Sequence, residues 1–94
     1  MAENFTELEL MILRIIAELN HWGLHAHYST DTGIKKLLLK EINPSNIIYK
    51  KWKKKGLAHL LSAKLVIEHK TSGNITYQLT KEGLIIAKEI LDFL

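Results

Sequence analysis

A run of lysines around a single tryptophan is the feature of this sequence with the clearest chemistry. It lies in the stretch IIYKKWKKKGL and contains five lysines, Lys50, Lys51, Lys53, Lys54 and Lys55. The lysine ammonium group is a point charge that suits phosphate oxygens. The run therefore predicts a surface that binds a polyanion. The alternative is a solvent-exposed helix face with no partner, which is what most charged runs are.

The positive charge of the chain is concentrated around that run. The net charge of the whole chain is only +3, but residues 35–70 hold ten lysines against two glutamates, a net charge of +8. Residues 1–34 carry a net charge of −4, and residues 71–94 carry −1. A basic middle between acidic ends is the charge distribution expected of a protein that binds nucleic acid.

Three histidines, His21, His25 and His27, are the other group that could do chemistry, since imidazole is a common zinc ligand. Their H-x3-H-x-H spacing is weak evidence for a zinc site, with Asp31 as the nearby carboxylate. We interpret the three histidines as solvent-exposed or loop-packing residues and predict no metal site.

The sequence offers little for catalysis. It has no cysteine, which excludes disulfides, thiolate zinc sites and thiol chemistry. We find no glycine-rich phosphate loop and no pair of carboxylates placed for acid–base work. We therefore predict a protein that is not an enzyme and has no cofactor.

Length and composition indicate one folded domain. The chain has 94 residues, 47% hydrophobic and 24% charged, which is too short for two independent cores. The N-terminus is acidic where a signal peptide would be basic, and the longest apolar runs are four residues, too short to span a membrane. We expect a cytoplasmic protein with no membrane partner.

The spacing of apolar residues predicts a first helix over residues 4–20. Its main stripe is Phe5, Leu8, Met11, Ile12, Ile15, Ile16 and Leu19, and a second stripe on another side is Leu10, Leu13 and Ala17. Gly23 is the predicted left-handed stop. A short extended segment is expected from His25 to Ser29. A second helix should follow the cap candidates at residues 29–32 and end near Asn43, because Pro44 disfavours helical geometry before it.

A third helix is predicted to start at Pro44 with Asn43 as its cap. At 100° per residue, one side of this helix carries Ile48, Trp52, Gly56, Leu60 and Ala63, with Tyr49 and His59 at the edges. The opposite half carries Lys50, Lys51, Lys53 and Lys54. Trp52 would then anchor the helix while the lysines face outward. The competing interpretation ends this helix at Gly56 and starts another at Leu57.

A β-hairpin and a last helix complete the predicted order. After Lys64 the apolar period changes to two, residues 71–74 have turn chemistry, and Ile75, Tyr77 and Leu79 alternate again. Thr80 then caps a helix through Leu94. The predicted fold class is α+β and mostly helical.

Helices followed by a hairpin resemble the winged helix-turn-helix layout. The segment LVIEHKTSGNITYQLTKEGLIIAKEI is similar to the wing and following helix of MarR- and PadR-like regulators, whose Y-x-L-T-x-x-G pattern is matched by residues 77–83. The stretch NPSNIIY is similar to the start of the PadR recognition helix. The third helix is several residues longer than the usual recognition helix. The chain also resembles small single-domain winged-helix proteins of archaea, their viruses and plasmids, including partition proteins of the AspA type.

The resemblance implies one winged-helix domain over residues 1–94, with a C-terminal dimerisation helix over residues 80–94. It implies a dimeric transcriptional regulator that binds double-stranded DNA through the third helix and the hairpin, or wing. The expected DNA-binding residues are Ser45, Asn46, Tyr49, Lys50, Lys51, Lys53, Lys54, Lys70, Ser72 and Asn74, with Thr71 as a further wing candidate. Because the chain has one arginine, we expect phosphate contacts to dominate and sequence discrimination to be modest.

Surplus hydrophobicity in the first and last helices predicts a homodimer. Its expected interface residues are Leu10, Leu13, Ala17, Ile86, Ile90 and Phe93. Two other functions stay open. One is a plasmid partition or DNA-coating protein that spreads on DNA, and the other is a winged-helix module that binds a protein partner.

Overall fold

The computed structural model describes residues 4–41 and 51–93. In chain order these contain α1 (Glu7–Leu19), β1 (Ser29–Thr30), α2 (Asp31–Glu41), a π-helical segment (Trp52–Leu57), α3 (Ala58–Ser62), β2 (Val66–Thr71), β3 (Asn74–Leu79) and α4 (Lys81–Phe93). The described chain is therefore α+β and mostly helical, as predicted. Its order is compatible with a winged-helix topology.

Several predictions fall outside the described residues. They are the end of the second helix near Asn43, the start of the third helix at Pro44, the position of Ile48, and four expected DNA contacts: Ser45, Asn46, Tyr49 and Lys50.

Helix α1 is the centre of the fold. It begins with a capping box in which the Thr6 hydroxyl accepts from the Glu9 amide at 3.2 Å and the Glu9 carboxylate accepts from the Thr6 amide at 2.8 Å. Helices α2 and α4, strand β3, the π-helical segment and α3 all pack against α1. A helix with neighbours on several sides can bury more than one apolar stripe.

The burial of α1 corrects the predicted dimer interface. Leu13 and Ala17 are 0% exposed within a single chain, and so is Ile86 on α4. These three side chains belong to the core and cannot also lie on a surface that meets a partner, so their assignment was wrong. The prediction assumed that α1 has one covered side. Leu10 and Ile90 are half-buried and pack against the core, and the side chain of Phe93 lies outside the description.

Helices α1 and α3 both end with a residue in the left-handed region that is not glycine. His21 has φ 54°, and the amide of Trp22 donates to the carbonyl of Ala17 at 2.8 Å. Lys64 has φ 60°, and the amide of Leu65 donates to the carbonyl of Leu60 at 3.0 Å. This is the Schellman pattern of helix ends. The predicted left-handed stop at Gly23 was therefore wrong, because the chain turns two residues earlier.

The sheet has three antiparallel strands in the order β1-β3-β2. The predicted hairpin is confirmed: β2 and β3 pair from Val66 with Leu79 to Thr71 with Asn74. Ser72 and Gly73 form its two-residue turn with φ values of 47° and 83°, which is the positive-φ geometry of a type I′ turn. The predicted extended segment at residues 25–29 is observed as a strand only from Ser29 to Thr30, which pairs with β3.

A buried asparagine joins α1 to the sheet. Asn20 is 1% exposed, and its side-chain oxygen accepts from the amides of Tyr28 at 2.8 Å and Ser29 at 2.9 Å. Its side-chain nitrogen donates to the carbonyl of Tyr77 at 2.9 Å. All three bonds are made to backbone, so Asn20 fixes the position of two strands relative to the end of α1. Sequence patterns gave no signal for this role.

Among residues 4–41 and 51–93, no helix is both long enough and apolar enough to cross a membrane.

Replacing Asn20 by leucine should destabilise the protein by about 2–4 kcal/mol, because the buried amide of Ser29 and the partly buried amide of Tyr28 would lose their acceptor. Urea unfolding followed by circular dichroism measures the loss. Asn4→Leu is a control at an exposed asparagine and should change stability by less than about 0.5 kcal/mol. A loss below about 1 kcal/mol for Asn20→Leu would show that the three bonds are not needed to join α1 to the sheet.

Candidate nucleic-acid interface

Three lysines of the run, Lys53, Lys54 and Lys55, lie on a continuous helical segment. From Trp52 to Leu57 the backbone is π-helical, and the amide of Ala58 donates to the carbonyl of Lys53, five residues earlier. Helix α3 follows directly at Ala58. The alternative in which one helix stops at Gly56 is therefore wrong. π-Helical stretches are rare, and single π-helical turns within α-helices are often found at functional sites.

The segment has the two sides that the sequence predicts. Trp52, Gly56 and Leu60 are buried, with Trp52 8% exposed. The opposite side is the lysine face, defined here as Lys51, Lys53, Lys54 and Lys55, all of which are exposed. Trp52 therefore anchors the segment in the core while the charges stay in solvent.

Two positions on the buried side differ from the prediction. Leu57 is 1% exposed although a 100° step does not place it with Trp52. The π-helical bonding pattern connects residues five apart, so Leu57 returns to the side of Trp52. Ala63, predicted to be buried, is exposed, because it is the C-cap residue at which α3 ends. His59 lies at the edge as expected, and its ring nitrogen is 2.7 Å from the Glu9 carboxylate.

Gly56 brings the lysine segment close to α1. A Cβ atom at this position would lie 2.5 Å from Cδ1 of Ile12 and 3.6 Å from the side chain of Leu8. A larger residue would force the two helical elements apart or displace the isoleucine. The glycine therefore supports the packing that holds the lysine face in a fixed position, as its place on the predicted buried side suggested.

Lys53 differs from Lys51, Lys54 and Lys55 because, among the residues that the structure describes, it is the member of the lysine face whose ammonium group lies in an ion pair. Its ammonium group is 2.6 Å from Oδ2 of Asp31, the first residue of α2. The other carboxylate oxygen of Asp31 accepts from the hydroxyl of Tyr77 at 2.6 Å. Tyr77 is fully buried. Its burial is the main cause that raises the pKa of its hydroxyl far above the ordinary value, and the negative charge of the Asp31 carboxylate is the second. The hydroxyl therefore stays protonated and donates to Asp31.

The hairpin presents its predicted wing residues at its tip. Lys70, Thr71, Ser72 and Asn74 are all exposed, and the ammonium group of Lys70 lies 3.4 Å from the Glu68 carboxylate. A cleft of about 550 Å³ separates the tip from the start of α2. The cleft is lined by Thr30, Asp31, Thr32, Thr71, Gly73, Asn74, Ile75 and Thr76. The hairpin tip and the Asp31–Lys53 pair are thus neighbours across one cleft.

The residues of the Y-x-L-T-x-x-G pattern have identifiable structural roles. Tyr77 and Leu79 are core residues of β3. Thr80 caps α4, since its hydroxyl accepts from the amide of Gly83 at 3.1 Å. A Cβ atom on Gly83 would lie 2.2 Å from the carbonyl oxygen of Leu65, so glycine is required by the close approach of α4 to the start of the hairpin.

The three histidines do not converge. His25 is exposed, and the ring of His21 lies 6.1 Å from that of Tyr28. The ring of His27 stacks on that of His69 with centroids 4.4 Å apart, and its Nδ1 is 3.0 Å from the Thr76 hydroxyl. In the part of the chain that the structure describes, no group of three histidine, aspartate or glutamate side chains could hold a metal ion.

Sequence reasoning missed two features of this site. Asp31 was considered as a helix-cap candidate and as a carboxylate near the three histidines, but not as a partner of Lys53, because its contacts with Lys53 and Tyr77 join residues far apart in the chain. The exposed lysines of α2, Lys35, Lys36 and Lys40, were counted in the charge of the basic middle but not assigned to the site.

Comparison with known proteins adds no relative to this description. No family model matches the chain, and no curated protein or solved structure matches it.

Replacing Gly83 by alanine should destabilise the protein by about 1–3 kcal/mol, because the new methyl group would overlap a backbone oxygen that cannot rotate away. Thermal unfolding should show a decrease of several degrees in Tm. Gly33→Ala is the matched control, since the nearest atoms to its Cβ would be side-chain atoms of Thr30 and Leu19, at 3.3 Å and beyond. Equal effects of the two substitutions would contradict the close approach at Leu65.

Proposed function

We propose that this protein is a winged helix-turn-helix protein that binds double-stranded DNA and acts as a dimeric transcriptional regulator. The observation that carries the proposal is the lysine face. Four lysines are exposed on one side of a helical segment whose other side is anchored by Trp52 and Leu57. Charges held on a rigid element are suited to bind the regularly spaced phosphates of a duplex.

The arrangement of the neighbouring elements supports the same proposal. In helix-turn-helix docking, one helix enters the major groove while the preceding helix and any hairpin lie near the backbone. Here α2 carries three exposed lysines, and the hairpin tip carries Lys70. The segment with the lysine face follows α2 in the chain, and the hairpin follows α3. Positive charge is thus available on each element that this docking mode brings to the duplex.

The only arginine of the chain favours modest sequence discrimination. Arginine is the usual bidentate reader of guanine. Arg14 instead pairs with Glu18, at 2.8 Å, and with Glu41. Its guanidinium group therefore joins α1 to α2 and is not offered to a base.

The second candidate function is plasmid partition or DNA coating. The ion pairs of Arg14 with Glu18 and Glu41 favour it too, because they keep the arginine from reading a base, and a protein that spreads along DNA needs little base readout. Selection of bound duplexes from a random pool separates the two functions. A sharp consensus indicates a regulator, and its absence indicates coating.

Binding of duplex DNA should be strongly salt-dependent. If four or more lysines neutralise phosphates, log K should fall with log salt at a slope of about −4 or steeper. Replacing Lys51, Lys54 and Lys55 by alanine should flatten that slope and weaken binding to every sequence alike. Fluorescence anisotropy over a range of salt concentrations measures both effects.

Trp52→Ala is the control for the buried side of the segment. It should cost about 3–5 kcal/mol of stability, as for other large buried aromatics, whereas the triple lysine variant should keep its melting temperature. A folded Trp52→Ala protein with selective loss of DNA binding would contradict the assignment of the two sides. Salt-independent affinity would contradict the electrostatic mechanism.

We further propose that the protein forms a homodimer through α4. With Leu13, Ala17 and Ile86 in the core, the large apolar side chains that α4 exposes among the described residues are Ile85 and Leu91, which are 47% and 49% exposed. Large apolar side chains exposed on one helix favour an interface, and two-fold pairing is the commonest form of closure. A dimer would present two lysine faces to one duplex.

The double variant Ile85→Glu with Leu91→Glu should convert the dimer to monomers and weaken DNA binding, because carboxylates would have to be buried in the interface. Light scattering measures the mass. Ser62→Glu is a control at an exposed position outside α4 and should leave the dimer intact. A wild-type protein that is monomeric at micromolar concentration and still binds DNA tightly would contradict the dimer interface. The exposed apolar side chains of α4 would then be a binding surface for a different protein.

A further inference from the structure

Asp31 places a negative charge directly within the lysine face. Its Oδ2 lies 2.6 Å from the ammonium group of Lys53, a side chain that is 52% exposed. Lys54, the next residue along the face, is exposed and has no carboxylate partner among residues 4–41 and 51–93. The positive charge of Lys53 is therefore balanced by a nearby carboxylate, whereas the charge of the adjacent Lys54 is not balanced by any carboxylate of the described residues.

The carboxylate of Asp31 is held in position on both sides. The buried hydroxyl of Tyr77 donates to Oδ1 at 2.6 Å, so the carboxylate cannot rotate freely away from Lys53. Asp31 is also the first residue of α2, where the helix dipole stabilises a negative charge. An ion pair that is fixed in this way is less easily opened than one between two mobile surface side chains.

We propose that Asp31 is an internal competitor for the phosphate that Lys53 would otherwise bind, and that it limits the affinity of the lysine face for DNA. The inference rests on the proposed function. In the free protein the Asp31 carboxylate accepts a hydrogen bond from the Lys53 ammonium group and balances its charge. A phosphate oxygen would do the same in the complex with DNA. Lys53 then adds little to the number of phosphates neutralised, whereas Lys54 adds one.

The variant Asp31→Asn tests the competition with little change of shape. The asparagine oxygen still accepts from the Tyr77 hydroxyl, while the charge that holds Lys53 is removed. The variant should bind an unrelated duplex more tightly than wild type, and the slope of log K against log salt should steepen by about 0.9, the value for one added phosphate contact on B-DNA. Its advantage over wild type should shrink roughly threefold between about 50 and about 200 mM salt.

Lysine variants show whether the effect passes through Lys53. In the wild-type background, Lys53→Ala should leave the salt slope unchanged, whereas Lys54→Ala should flatten it by about 0.9. In the Asp31→Asn background, Lys53→Ala should remove the steepening. Because a loss of fold would not change the slopes in this pattern, the salt slope separates phosphate competition from a structural role of Asp31. Thermal unfolding checks that each variant is folded.

The possible results separate this inference from the proposed function. If wild-type protein fails to bind duplex DNA even at low salt, the proposed function is wrong and the competition falls with it. If wild type binds but Asp31→Asn leaves the slope of log K against log salt unchanged, only the competition is overturned. The same holds if the double variant Asp31→Asn with Lys53→Ala keeps the steeper slope. Equal slopes for Lys53→Ala and Lys54→Ala in the wild-type background would also overturn it, and that comparison does not alter Asp31.

Discussion

The fold depends on the contact between the end of α1 and the sheet, which Asn20 makes with three hydrogen bonds to backbone. Hydrogen bonds to backbone constrain the position of a strand whatever side chains it carries. Helix α1 also covers the buried side of the lysine segment through Ile12, the side chain that lies against Gly56. The hairpin and the lysine face are therefore both positioned by one helix, and their relative placement does not depend on direct contact between them.

Local patterns predicted the elements but not the packing of α1. The alternation after Lys64 gave the hairpin, and Thr80 was correctly identified as a helix cap. Leu13 and Ala17 were wrongly placed on the surface, because the spacing of apolar residues along a helix does not contain the number of neighbours that the helix has. The stop at Gly23 failed for a related reason. A left-handed residue costs roughly 1–2 kcal/mol without glycine, and His21 adopts it where its helix-end hydrogen bonds offset that cost.

The site was predictable to the extent that it depends on one helix. Exposure of the lysines follows from their angular spacing, and Trp52 is buried as the sequence predicts. The Asp31–Lys53 pair and its tie to Tyr77 join residues 22 and 46 positions apart, and no local pattern contains that information. Whether a lysine is available to a ligand is thus a property of the tertiary structure, even where its exposure is a property of the sequence.

The π-helical geometry of Trp52–Leu57 has a consequence for the evolution of the basic surface. A π-helical turn holds about one residue more than an α-helical turn, as if one residue had been inserted into an ordinary helix. Loss of one lysine from the segment would restore α-helical spacing between Trp52 and Leu57 and leave both anchors on the same side. The number of charges on this surface can therefore change by one in a single insertion or deletion event, with the hydrophobic core conserved.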